Sequence, residues 1–197
     1  MDSWVAIDFE TANGSRASAC SVALVRVSDG QEQEVYTTLL RPPEGHDRFE
    51  ARNTAVHGIR ETDVRRAPTW REAWPQMADF IGEAPLIAHN AAFDTSVIRS
   101  ANHATGITTP TMRYACTLVL ARRTWALDSY TLPRVARAAG LAFSDHHRAE
   151  ADARAAAGVL LAQQRAHGVE TVDALLRSTG VTWGRIHRRG YDGCLKG

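Results

Sequence analysis

Three segments typical of β-strands follow one another at the start of the chain, with short connections between them. They span residues 4–10, 20–27 and about 34–40, and a Ser-Asp-Gly turn joins the last two. Consecutive strands with short connections pair as an antiparallel meander. The next segment, residues 41–60, is rich in Pro, Gly, His and Asn, and we expect it to form a long loop.

Helical and strand patterns alternate after this loop. Helices are predicted near residues 69–82, 92–104, 118–124, 132–139 and 149–167, and strands at 85–89 and 112–116. Three antiparallel strands, followed by two further strands that helices separate, indicate an α/β domain with a mixed sheet flanked by helices. With 197 residues, the chain is long enough for one domain with a full core.

The overall composition favours no particular class of partner. The formal net charge is only +1, so neither nucleic-acid binding nor membrane binding follows from the total charge. The chain lacks a signal-peptide pattern and an apolar run of about 18 residues, and we expect a cytoplasmic protein with no membrane partner. Cys20, Cys116 and Cys194 lack a metal-binding spacing and are expected to be free thiols.

Two carboxylates end the first predicted strand. Asp8 and Glu10 are two positions apart, so their side chains leave the same face of the strand about 7 Å apart at the backbone. Two such carboxylates can share a divalent cation. An isolated Asp-x-Glu pair can equally be a surface acid at a strand end and a turn cap, so the pair by itself leaves both interpretations open.

Two later segments carry further acids. In LIAHNAAFD, residues 86–94, an apolar strand breaks at His89-Asn90, and Asp94 follows in the first turns of a helix, where the helix dipole alone also favours an acid. Asp152 lies among alanines, on what should be the packed side of the helix at 149–167. That position does not suit a solvated carboxylate.

Four carboxylates gathered in one place would repel one another without a cation. Oxygen ligands, without cysteine or clustered histidine, select hard ions such as Mg²⁺ or Mn²⁺. Two such ions, roughly 3.5 to 4 Å apart, clamp the attacking and leaving oxygens in phosphoryl chemistry. A site made of Asp8, Glu10, Asp94 and Asp152 therefore predicts phosphodiester hydrolysis with two divalent cations as cofactors.

The segments IDFETAN, HNAAFD and HRAEAD together resemble the three motifs of the DEDDh 3′-to-5′ exonucleases. This family includes the proofreading epsilon subunit of bacterial replicative DNA polymerase, RNase T and oligoribonuclease. The resemblance runs from about Trp4 to Gln164 and implies a ribonuclease H-like fold. We expect an exonuclease domain over residues 1–167 and a basic extension over residues 168–197, packed on the same domain or trailing from it.

The resemblance also implies catalytic roles. The four acids would be the metal ligands, and the histidine five residues before the last acid would be the general base. That histidine is His147, whereas His146 is out of register. A side chain with an ordinary pKa near 6.5 can accept a proton at neutral pH. One alternative stays open, because His146 and Glu150 are spaced i,i+4 and could bind a metal from one helix face.

Further residues would hold the 3′-terminal nucleotide. The residues that the resemblance assigns to this role are Thr11, Val56, His57, Asn90 and Phe93. Val56 and His57, in NTAVHGI, would touch the terminal base, Thr11 would lie near the 3′-hydroxyl, and the other two would line the cleft. Capping, turn and core roles are the structural alternatives for these positions.

The predicted function is a metal-dependent 3′-to-5′ exonuclease that releases nucleoside 5′-monophosphates. Its partner would be a nucleic acid with a free, single-stranded 3′ end, with DNA slightly preferred over RNA; a polymerase or repair partner is left open. The alternative is an inactive module of the same fold that binds nucleic-acid ends. Residues 177–197 hold five basic residues and one acid, and this stretch could track a phosphate backbone or serve as a solvated tail or docking segment.

Overall fold

A seven-stranded mixed sheet forms the centre of the molecule. The computed structural model describes residues 2–142 and 146–194. The strands are β1 (Ser3–Thr11), β2 (Ala19–Ser28), β3 (Gln31–Leu39), β4 (Leu86–Ala88), β5 (Met112–Cys116), β6 (Gly184–His187) and β7 (Gly190–Asp192). Their order across the sheet is β3-β2-β1-β4-β5-β6-β7. The strands β1, β4 and β5 run parallel, and the other neighbours are antiparallel.

Helices cover both faces of this sheet. They are α1 (Ala51–His57), α2 (Glu61–Val64), α3 (Trp70–Ile81), α4 (Ala92–Ala104), α5 (Thr117–Thr124), α6 (Leu132–Ala138), α7 (Ala149–Ala166) and α8 (Val172–Thr179). Within the described ranges, no helix combines the length and the apolar character that a membrane crossing requires.

The central strand β1 divides the core into two layers. Val5 and Ile7 belong to the apolar cluster that includes residues of α3 and α4, whereas Trp4 and Ala6 belong to the cluster that includes residues of α7 and α8. This is the alternation that the sequence predicts for residues 4–10, since successive side chains of a strand point to opposite faces. Both faces of β1 are therefore buried, which holds the strand rigidly in the middle of the molecule.

The predicted α/β class and mixed sheet are confirmed, but two expectations about local structure are wrong. The segment 41–60 is not all loop, because α1 occupies residues 51–57. This helix buries none of its own residues, so it carries no apolar periodicity that a sequence pattern could reveal. Gly58 ends it with φ of +77°, in the left-handed region that favours glycine, and donates its N–H to the carbonyl of Thr54.

The sheet also has two more strands than the five predicted. β6 and β7 are four and three residues long, too short for a strand pattern to stand out. They form because β6 pairs antiparallel with β5, about seventy residues earlier in the chain. The hydroxyl of Tyr114 in β5 adds a hydrogen bond to the carbonyl of Asp192 in β7, at 2.9 Å. Much of the basic extension is thus part of the sheet.

Candidate active site

Three elements converge at the carboxyl end of β1. Because β1 and β4 are parallel, their carboxyl ends meet at the same edge of the sheet. Asp8 and Glu10 lie on β1, Asp94 lies in the first turn of α4, which follows β4, and Asp152 lies in the first turn of α7. The fold therefore brings all four predicted acids to one place.

Three of these acids form a compact cluster. Carboxylate oxygens of Asp8, Glu10 and Asp152 lie within 4.8 Å of one another. Asp94 lies against the cluster, where its Oδ1 accepts a hydrogen bond of 3.2 Å from the backbone N–H of Phe9, between the two acids of β1. Only 2% of Asp94, 4% of Asp152 and 9% of Glu10 is exposed, so water screens their charges poorly.

Burial and mutual repulsion dominate the electrostatics of the cluster. Burial raises the pKa of Asp8 well above its ordinary value, and the charges of Asp94, Glu10 and Asp152 raise it further. Burial also raises the pKa of Glu10 to about 8 and that of Asp94 to about 8. A set of oxygen donors held together against repulsion fits hard divalent cations, which supply the missing positive charge.

These shifts predict how the metal-free protein responds to pH. Between the ordinary pKa of Glu10, 4.5, and its folded value of about 8, the folded protein binds a proton that the unfolded chain has lost. The free energy of unfolding should therefore fall by a few kcal/mol as the pH rises through this range. Mg²⁺ should restore it at the upper end, where the carboxylates are free to bind the ion.

The measurement is denaturant unfolding with chelator and with Mg²⁺, at about pH 5 and about pH 8. In the Glu10→Gln variant, the free energy of unfolding should fall less steeply with pH, because one of the carboxyl groups with a raised pKa is gone. A metal-free stability that stays level or rises over this range would contradict the electrostatics of the cluster.

Both histidines of the third motif touch Asp152, in different ways. The ring of His146 places Nδ1 2.9 Å from Oδ1 of Asp152, whereas His147 donates its backbone N–H to Oδ2 at 3.1 Å. The two rings stack with their centres 3.6 Å apart. His147 has a φ of +72°, which is uncommon for a residue other than glycine. Both rings thus lie beside the acid cluster.

Glu150, which could have paired with His146 as a metal ligand, has another partner. It forms an ion pair with Arg154, and Arg154 also contacts Glu32 at 3.0 Å. Glu150 is absent from both groups of described residues whose atoms are close enough to share an ion. One of these groups joins Asp8 and Glu10 to Asp152, and the other joins both histidines to Asp152, so the geometry offers no support for a His146 and Glu150 pair.

Thr11 and His57 lie together at the end of β1. Nε2 of His57 is 3.2 Å from the carbonyl oxygen of Thr11, and Nδ1 accepts the N–H of Ile59 at 3.0 Å. Since Nδ1 accepts, Nε2 carries the proton and donates it to that carbonyl. Asn53 donates to the same carbonyl at 2.9 Å. The bonds to Thr11 attach α1 to β1, and both ring nitrogens of His57 take part in hydrogen bonds within the protein.

Val56 is left exposed by this attachment. Its side chain is 46% exposed, which is unusual for a residue of its size and apolar character in this protein. It precedes His57, whose ring is held at the end of β1. The side chain of Val56 is therefore accessible from solvent.

Asn90 and Phe93 shape the turn that presents Asp94. Asn90 has a φ of +64°, a left-handed conformation that asparagine tolerates better than most residues, and its carbonyl accepts the N–H of Phe93 at 2.8 Å. This turn leads β4 directly into α4. Asn90 also lines, together with Asp8 and Asp152, a cavity of about 440 Å³. Phe93 is half-buried and packs under the side chain of Arg16.

Sequence patterns missed several residues of this region. Asn53 reaches Thr11 across 42 positions, and His89 bridges the hydroxyl of Thr117 and the carbonyl of Tyr130, both at 2.9 Å. Arg16 lies above the ring of Phe93. None of these residues has a local spacing that marks it, because each acts through a partner far away in the chain. The nearest signals are that His89 lies inside a motif, Arg16 follows one closely, and Asn53 is the first residue of NTAVHGI.

Comparison with known proteins assigns the chain to a family. The family model described as exonuclease, of the RNase T type, matches residues 5–160. A Mycobacterium tuberculosis protein named as a bifunctional exonuclease/endonuclease is 33% identical over 168 residues, which are 80% of this chain and 26% of that protein. The PolC-type DNA polymerase III of Clostridium perfringens is 31% identical over 164 residues, 81% of this chain and 11% of that protein. The chain thus spans only a small part of these relatives.

Solved structures agree with this assignment. Exonuclease X, in complex with 5′ overhanging duplex DNA, superposes with a TM-score of 0.72 at 26% identity, over 90% of this chain and 99% of that one. The nuclease domain of 3'hExo, a DEDDh family member bound to rAMP, has a TM-score of 0.72 over 86% of this chain and 94% of that one; at 13% identity it supports the ribonuclease H-like fold alone. The resemblance predicted from the three motifs is confirmed, and the chain belongs to the exonuclease family.

Proposed function

We propose that this chain is a metal-dependent 3′-to-5′ exonuclease that hydrolyses nucleic-acid 3′ ends to nucleoside 5′-monophosphates. The observation that carries the proposal is the cluster of half-buried Asp8 with buried Glu10 and Asp152, and with Asp94 bound to the backbone beside it. So much negative charge in one buried place would disfavour a phosphodiester, unless cations accompany it. The oxygen-only donor set suits Mg²⁺ or Mn²⁺.

The four acids would hold two such ions. When bound, divalent cations supply Lewis-acid chemistry, in which they polarise the phosphoryl oxygens and stabilise charge on the leaving 3′-oxygen. The contribution of the protein is to hold the ligands in place. Asp8 and Glu10 are aimed by a strand buried on both faces, and Asp152 is oriented by contacts from His146 and from the backbone of His147.

His147 is the group that would accept the proton of the attacking water. Burial lowers its pKa, so its ring is neutral at neutral pH and able to accept a proton. The positive φ of this residue supports a functional role, because backbone strain of this kind persists mainly at functional sites. Its backbone contact with Asp152 keeps the ring beside the acids while the proton moves.

The 3′-terminal nucleotide would lie between α1 and the first turn of α4. Val56 offers an apolar surface for the base, and His57 keeps that surface in place through its bond to Thr11. Asn90 and Phe93 would form the other wall, beside Asp94. These contacts involve the base face and the sugar rather than base edges, so the site would accept any sequence.

DNA is the proposed substrate, in preference to RNA, and a single-stranded 3′ end is the proposed form. Support comes from the relatives, since PolC-type proteins are named as DNA polymerases and the Exonuclease X structure holds duplex DNA with a 5′ overhang. The rAMP in the 3'hExo domain shows that a related fold also accepts a ribonucleotide. The preference for DNA is therefore proposed as a modest one.

A digestion experiment tests this function. Single-stranded DNA, duplex DNA and RNA of matched sequence, each labelled at the 5′ end, are incubated with the protein in Mg²⁺, in Mn²⁺ and in chelator. We expect a ladder of products shortened from the 3′ end, release of nucleoside 5′-monophosphates, faster loss of single-stranded DNA, and no reaction in chelator. If neither ion gives a ladder but the protein still binds 3′ ends, it is instead an inactive end-binding module.

A further inference from the structure

The loop between β1 and β2, residues 12–18, is built on buried polar side chains. The amide of Asn13 donates to the carbonyls of His46 and Arg48, at 2.8 and 2.7 Å, and the hydroxyl of Ser18 donates to the carbonyl of Ser15 at 2.7 Å. Asn13 and Ser18 are both buried. The N–H of Ala12 closes the loop on the carbonyl of Ser18 at 2.8 Å. A loop with this many internal bonds holds its exposed side chains in a defined place.

Arg16 is the charged side chain that this loop presents. It is exposed, and its guanidinium carbon lies 4.4 Å from the centre of the Phe93 ring. Stacking on an aromatic face fixes the plane of a guanidinium and leaves the N–H groups at its edge free to donate. In the described part of the chain, no carboxylate lies close enough to form an ion pair with Arg16. Its charge is therefore available to a ligand.

The position of Arg16 relative to the acids narrows the identity of that ligand. Arg16 stacks on Phe93, which directly precedes Asp94, so the guanidinium lies near that carboxylate. Asp94 itself lies at the flank of the cluster, bound to the backbone of Phe9. Arg16 is therefore next to Asp94, the acid outside the compact group of Asp8, Glu10 and Asp152.

A substrate with a free 3′-hydroxyl limits which phosphate can lie there. The terminal nucleotide carries only the phosphate that is cleaved, and no phosphate follows it. The next phosphate is the one on the 5′ side of the penultimate nucleotide. A planar guanidinium with free N–H groups matches the oxygens of a phosphodiester, with which arginine forms short and often bidentate hydrogen bonds.

We propose that Arg16 binds this second phosphate of the substrate and so helps to hold the chain on the 5′ side of the bond that is cleaved. This inference rests on the proposed function, because it takes the polarity of the substrate from it. The contact would be independent of sequence, since it reads only the backbone. It would also offset part of the repulsion between the four acids and a polyanionic substrate.

Two dinucleotides that differ by one phosphate test the proposal. A thymidine dinucleotide has only the phosphate that is cleaved, and its 5′-phosphorylated form adds only the second one. We expect the 5′-phosphate to raise kcat/KM of the wild type about tenfold, mostly through KM, as for a charge-assisted contact. In Arg16→Gln, the 5′-phosphate should raise kcat/KM by less than about twofold. For the unphosphorylated dinucleotide, kcat/KM of this variant should fall by less than about threefold. Arg16→Lys, which keeps the charge, should retain part of the advantage of the 5′-phosphate.

The matched control is another arginine that stacks on an aromatic ring, at the opposite end of the β1–β2 pair. The guanidinium of Arg26 lies 5.2 Å from the centre of the Phe80 ring, and Arg26 pairs with Val5 at the start of β1, away from the acids. Arg26→Gln should keep the full advantage of the 5′-phosphate. With a longer single-stranded oligonucleotide, only the Arg16→Gln change should lower the salt dependence of log Kd, by about 0.7.

The outcomes separate this inference from the proposed function. If Arg16→Gln lowers kcat/KM equally for both dinucleotides, Arg16 acts on the cleaved phosphate or through Asp94, and the proposal is overturned. A wild type that gains nothing from the 5′-phosphate would overturn it as well. If the wild type cleaves neither dinucleotide nor any longer substrate, the proposed function has failed. Equilibrium binding of the same two dinucleotides then decides whether Arg16 contacts the second phosphate.

Discussion

The Asp8→Asn variant should lose hydrolysis by about 10³-fold or more and yet be more stable than the wild type in the absence of metal. Burial and the charges of all three neighbouring carboxylates raise the pKa of Asp8. Replacing it with a neutral side chain of the same shape removes repulsion from the metal-free cluster. The same change removes a ligand that could serve both cations, so the stabilisation by Mg²⁺ should largely disappear.

Thermal unfolding in chelator and in Mg²⁺, combined with calorimetric titration of Mn²⁺, measures both effects. The matched control is Asp79→Asn, which removes the same charge from an exposed position on α3 and should change neither activity nor the response to metal. An Asp8→Asn variant that keeps its activity would exclude the four-acid site. A variant that is less stable than the wild type in chelator would mean that repulsion does not dominate the cluster.

His147→Ala should lower kcat by roughly 10²- to 10⁴-fold, while the binding of metal and of a 3′ end persists. The side chain is the proposed proton acceptor, and its contact with Asp152 is made by the backbone N–H, which alanine keeps. The orientation of Asp152 should therefore change little. Single-turnover cleavage, with Mn²⁺ affinity and oligonucleotide affinity measured on the same preparation, separates the chemical step from binding.

His146→Ala is the comparison that tests the register of the third motif. The ring of His146 contacts the carboxylate of Asp152 directly, so its removal should weaken metal binding, with a loss of activity of about tenfold or less that excess Mg²⁺ partly restores. Equal losses in the two variants would refute the assignment of His147. A larger loss at His146, without rescue by metal, would transfer the role of the base to that residue.

The acids could be predicted from the sequence because each is positioned by its own regular element. In β1, a period of two places Asp8 and Glu10 on one face, and the helical period places Asp152 on the buried side of α7. The apolar run before Asp94 identifies the strand that delivers it. These are local properties, and the same properties predicted the mixed sheet.

Contacts between distant parts of the chain account for what could not be predicted. The helix α1 buries no residue of its own and is held by bonds from His57 and Asn53 to Thr11, more than forty positions earlier. The strand β6 is four residues long and forms by pairing with β5. Neither element would be stable without its partner, and neither has a sequence pattern strong enough to predict it.

The position of Arg16 also depends on a contact between distant parts of the chain. Its sequence neighbourhood, Asn-Gly-Ser-Arg, indicates only a turn, and 23 basic residues in the chain offer no reason to select this one. The stack on Phe93, 77 positions later, is what places its charge beside Asp94. The sequence alone indicated the family through its three motifs, and short-range periodicity indicated the α/β class and placed the four acids on regular elements. The tertiary structure alone decided which polar and charged side chains surround those acids, because long-range packing places them there.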